Sequence, residues 1–136
     1  MKDGDYGLRF DAKHRVLLIT FGKRVTDDIY MSGYDAVKRF VAARGPYSLI
    51  ADFSQVEDFG LSSKFVREIG DMTPASPAGM ARVVVAPQPA VYGASRIVET
   101  LRSETVAAIT VVRTIAEAYA GFGASDSDFV PVSAIK

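Results

Sequence analysis

From residue 47 onward, short apolar runs rich in β-branched side chains alternate with longer stretches whose apolar residues recur every three or four positions. Residues 47–53, 82–86 and 107–113 are the runs. Leu61, Phe65, Ile69 and Met72, then Val91, Ala94, Val98 and Leu101, then Ile115, Ala118, Tyr119 and Phe122 mark the helical stretches between and after them. Such alternation predicts strand–helix units, hence a mostly parallel sheet with right-handed crossovers.

The first third of the chain adds two features. Residues 6–10 and 15–21 are β-branched and aromatic and flank a polar turn at 11–14, which predicts an antiparallel hairpin. Thr26, Asp27 and Asp28 then read as a capped helix start, with acids placed where the helix dipole favours them. Ile29, Gly33, Val37, Phe40 and Val41 form the buried face of that helix, which Arg44, Gly45 and Pro46 end. The expected fold is α/β, a mostly parallel mixed sheet of about five strands with an N-terminal antiparallel hairpin and about four helices. One domain is expected over residues 1–123, with 124–136 as a C-terminal tail or arm.

Composition narrows the function classes. Sixteen basic residues balance sixteen acidic ones among 136, so the global basic excess typical of proteins that live on nucleic acid or anionic membrane is missing. Cysteine is absent and histidine occurs once, which excludes disulfides, thiol catalysis, thiolate metal sites and any multi-histidine centre. No apolar run approaches the roughly 20 residues of a membrane span. The polar N-terminus, Met1 to Asp5, lacks a signal-peptide core, so a cytoplasmic address is expected.

In a parallel sheet of this kind, ligand and modification sites gather beyond the carboxyl ends of the strands. There the chain offers Asp52 through Asp58, Pro87 and Gln88, and Arg113 and Thr114. Ser62 and Ser63 fall where the second helix begins, a position at which a phosphate is stabilised by free amides and by the dipole. The plainer use of such a serine is an N-cap. Asp52 invites comparison with a phospho-accepting aspartate. Arg113 and Thr114 stand where that chemistry needs a lysine, and a turn cap is the simpler role. His14, in the presumed hairpin turn, is read as a surface residue distant in sequence from any partner. Neither phosphate-loop motif, Gly-x-x-x-x-Gly-Lys or Gly-x-Gly-x-x-Gly, occurs. Gly93, inside the third helix, is read as a close-packing position against the sheet. Arg67 and Asp71 have the spacing of a helix ion pair.

The order of elements, together with the segment LIADFSQVEDFGLSS at 49–63, resembles the STAS domain, whose members include SpoIIAA-type bacterial anti-sigma-factor antagonists and the cytoplasmic tails of sulfate transporters. Asp52, Phe53 and Ser54 match the family's Asp-Leu-Ser strand end. Ser62 falls on the serine phosphorylated in antagonists, whereas Gly60 and Ser63 depart from the acid and glycine that flank it there. The segments AVYGASRIVE at 90–99 and RTIAEA at 113–118 are similar to the SpoIIAA-like subfamily. The resemblance, over residues 6–123, implies a non-enzymatic regulatory module. Its partner would be a protein such as a kinase or an anti-sigma factor, without cofactor, metal, nucleic acid or membrane. Ser62 is then the phosphoacceptor candidate, with Asp52, Ser54, Asp58, Ser63 and Tyr92 as its binding surface.

The alternative is a carrier of a small ligand or lipid, of the related lipid-carrier fold, with Phe59, Met72, Met80 and Tyr92 lining an apolar cleft. Catalysis is not expected, because no histidine–carboxylate pair or activated nucleophile can be assembled from the spacing. Residues 129–135 form either an arm that adds to a second copy's sheet, giving a homodimer, or an untethered tail.

Overall fold

The structure is a computed structural model that describes residues 5–75, 79–102 and 108–132. The loop residues 76–78, residue 107 of the expected last strand, residues 133–135 of the expected arm and the polar start at 1–4 lie outside the described residues.

The first two strands, β1 (Tyr6–Asp11) and β2 (Val16–Phe21), form the expected hairpin, paired antiparallel from Tyr6↔Phe21 to Asp11↔Val16. A short strand β3 (Arg24–Thr26) leads into helix α1 (Asp27–Arg44). The Thr26 hydroxyl accepts the Ile29 amide at 3.3 Å, and Gly45 at φ 89° closes the far end. Then follow β4 (Ser48–Asp52), β5 (Asp58–Gly60), α2 (Ser63–Asp71), β6 (Arg82–Val85), α3 (Pro89–Arg102), β7 (Thr110–Val112) and α4 (Ile115–Phe122). A single 3-10 turn at Asp126–Asp128 and a last strand, β8 (Val130–Pro131), complete the chain.

The main sheet has six strands in the order β7-β6-β4-β2-β1-β8. The pairs from β7 to β2 are parallel, and the two that involve β1 are antiparallel. The sheet exceeds the expected size because residues 130–131 pair with Phe10 and Arg9 of the same chain. The arm therefore covers its own sheet edge. Phe129 before it is buried and stacks on Tyr119 at 5.3 Å, so the segment after Gly123 packs as part of the domain. A second, two-stranded parallel sheet, β3–β5, was not visible in the periodicity, since three-residue strands carry too little pattern.

Alternation along the central strand β2 sends successive side chains to opposite faces. Leu17, Ile19 and Phe21 join the core under α1 and α3, whereas Val16 and Leu18 join Ile50, Val85 and Ala118 under α4. Three helices thus cover one face and α4 with Phe129 covers the other. The expected Arg67–Asp71 pair is not among the ion pairs of the described residues; the helical one is Arg96–Glu99 at 3.0 Å.

Candidate functional site

Between the sheet and the three helices of the first face lies an apolar cavity of about 120 Å³. Its floor is Ile19 of β2 with Leu49 and Ala51 of β4, and its roof is Gly33 and Val37 of α1, Val66 and Ile69 of α2, and Val91, Ala94 and Val98 of α3. The space follows from side-chain size. Gly33, Ala51, Ala94 and Ser95 all face it, and four small residues around one point leave volume that Val and Ile neighbours do not fill.

Few polar groups reach this space. Tyr30, Tyr34, Ser95, Arg82 and Arg102 do, and no acid is among the described lining residues. Burial pushes the Tyr30 phenol up to about 12, against a partial opposing pull from Arg102. The Tyr34 hydroxyl donates to the Thr73 carbonyl. Arg102 serves the fold: its guanidinium donates to the carbonyls of Ile69 at 2.6 Å, Met72 at 3.4 Å and Gly70 at 3.5 Å, at the C-terminus of α2. Desolvation lowers the pKa of both buried arginines, and at Arg82 the Arg102 charge lowers it further.

Of the residues expected to line a cleft, Phe59 does so, while Met72, Met80 and Tyr92 do not. Tyr92 instead lies under the guanidinium of Arg113, 3.9 Å from its ring centre, at the strand-end rim. The spacing of α3 put Tyr92 next to Val91 on the helix surface. That one-residue step turns it away from the cavity.

The rim itself follows the expected topology. Asp52 is buried, and its carboxylate accepts the Ser54 amide at 2.9 Å, so it holds the turn after β4. Gln88 donates from Nε2 to the carbonyls of Phe53, Ser54 and Val56 and pins the same loop from the β6 side. Ser54 and Asp58 are exposed. Ser62 is exposed and caps α2, its Oγ accepting the Phe65 amide at 3.1 Å, and Ser63 is the exposed first residue of that helix.

Two expectations are corrected. Gly93 is exposed, and a Cβ there meets no atom within 4 Å, so it does not serve close packing. His14 has a partner three residues away: its Nδ1 lies 2.5 Å from Asp11 Oδ2, and 4.0 Å from Asp128 Oδ2 of the C-terminal segment. A histidine–carboxylate pair therefore exists. Asp11 closes β1 and His14 sits in the turn, a spacing the sequence displays; Asp128 arrives only because β8 folds back on β1.

No family model, no curated protein and no solved structure matches the chain in comparisons with known proteins.

Proposed function

We propose that this chain is a non-enzymatic binding module that carries a small, predominantly apolar molecule between its sheet and helices α1, α2 and α3. The observation that carries this reading is the 120 Å³ cavity walled by aliphatic and aromatic side chains. An apolar guest of about the size of a benzene ring seated there gains van der Waals contacts with these walls and takes their apolar surface out of water. Tyr30 and Tyr34 of α1 give such a guest polar neighbours, with Ser95 of α3.

Titration of the full chain with indole, followed by calorimetry, tests it. Saturable binding at one guest per chain is expected, together with its loss in Ala94→Phe, whose ring occupies the space. An apolar compound in the native mass of protein recovered directly from cells would identify the natural guest. A clean apo mass together with no indole binding would reject the carrier.

A second reading, a STAS-like regulatory module switched at Ser62, is favoured by one specific observation. The Ser62 hydroxyl is exposed at the N-terminus of α2, the helix whose inner face supplies Val66 and Ile69 to the cavity. A phosphate there meets the positive end of the helix dipole and adds about two negative charges to a chain of zero net charge. A partner screen with Ser62→Asp and Ser62→Ala decides it: different partners or affinities support the switch, and identical ones sink it.

A further inference from the structure

We infer that Asp11, His14 and Asp128 form a binding site for a divalent cation of the zinc type. The three residues come from three places in the chain: the end of β1, the hairpin turn, and the 3-10 turn before β8. Pairing of β8 with β1 brings them together, and one ligand atom from each lies within 4.8 Å of the others. The donor set is one imidazole nitrogen and two carboxylate oxygens. That mixture suits a borderline cation such as zinc, with positions left for water.

Charge supplies the second argument. Asp11 is only 1 % exposed; its Oδ1 accepts the His14 backbone amide at 3.1 Å and its Oδ2 faces His14 Nδ1 at 2.5 Å. A buried carboxylate is costly unless its charge is met. Asp128 brings a second carboxylate to the same imidazole. Its Oδ2 accepts the Ser125 backbone amide at 2.9 Å and the Ser125 hydroxyl at 3.3 Å, which fixes the carboxylate beside the ring. Two carboxylates thus converge on one ring, and a divalent ion placed among them meets both. Ligand atoms around a tetrahedral zinc lie roughly 3.3 Å apart, so the 2.5 Å Asp11–His14 contact must open while the 4.0 Å His14–Asp128 gap closes. None of the three lines the apolar cavity, and the site lies at the amino end of β2, away from the strand-end rim. It stands independently of the carrier reading.

Bound, the ion ties the C-terminal segment to the β1–β2 turn. Zinc titration of the full chain against a competing chelator, with hydrogen exchange of residues 125–132 read in parallel, tests this. The expected result is one zinc per chain, slower exchange of that segment on binding, and an affinity loss on the order of 100-fold in Asp128→Asn and in His14→Asn. Asp128 is exposed enough for its variant to keep the fold, which circular dichroism verifies. Absence of one-to-one binding, or equal affinity in wild type and a folded Asp128→Asn chain, overturns the site.

Discussion

Gly33 of α1 passes so close above Ile19 of β2 that a Cβ at position 33 would lie 2.7 Å from Ile19 Cδ1 and 3.3 Å from the Phe21 ring. The two contacts differ in how they yield. Ile19 Cδ1 is the free end of its side chain and borders the cavity, into which it can swing. Phe21 is held among neighbouring rings, Phe53 at 4.7 Å, Tyr30 at 6.1 Å and Tyr6 at 6.3 Å. Gly33→Ala gains about 1 kcal/mol of helix propensity and pays an overpacking cost of about 1–3 kcal/mol. A net loss of about 1 kcal/mol is expected from urea midpoints, with weaker indole binding because Ile19 takes up cavity volume. Unchanged stability and unchanged binding would mean that α1 lifts instead.

Gly93→Ala runs the other way. The position is exposed, its Cβ meets nothing within 4 Å, and its φ is not in the left-handed region. Only the propensity gain remains, so the variant is expected to be more stable by up to about 1 kcal/mol, read as a higher Tm. Indole binding should not change, because Gly93 is not a cavity residue.

Local signals in the chain carry the architecture well and the site poorly, for one physical reason. The capping hydroxyls of Thr26 and Ser62, the stop at Gly45 and the alternation of β2 act over a few residues, and the helices and strands begin and end where those residues stand. The cavity depends on Gly33, Ala51 and Ala94 facing one another from three elements, which no spacing along the chain encodes. The Asp11–His14 half of the polar trio was open to reading three residues apart. Its third member depends on a pairing between β1 and residues more than a hundred positions later.

Arg102→Lys tests whether the α2 terminus needs a planar fork. The guanidinium serves three carbonyls from a buried position, and a single ammonium cannot reach the same spread. Leaving buried carbonyls under-satisfied costs about 1–3 kcal/mol, so the lysine variant is expected to lose about that much and Arg102→Ala at least as much. Because Val66 and Ile69 of α2 form part of the cavity roof, indole affinity should fall with stability. A lysine variant as stable as wild type would show that the helix end finds other donors.

Tyr30→Phe separates one phenol from the alkaline unfolding of the whole chain. Burial raises Tyr30 from 10.0 to about 12, and burial first, then the hydrogen bond to Asp126, raises Tyr119 to about 12 as well. Below pH 10 each phenol is neutral in both states, and its contribution to stability is complete. Between pH 10 and 12 the unfolded chain releases the proton while the folded chain keeps it, so stability falls as pH rises through that window. Urea midpoints measured from pH 8 to 11.5 should therefore drop in wild type and drop less steeply in Tyr30→Phe. Tyr119 acts on both proteins alike, so the difference between the two curves belongs to Tyr30 and its coulombic coupling to Tyr34. Parallel curves would mean that the Tyr30 hydroxyl reaches water in the folded chain.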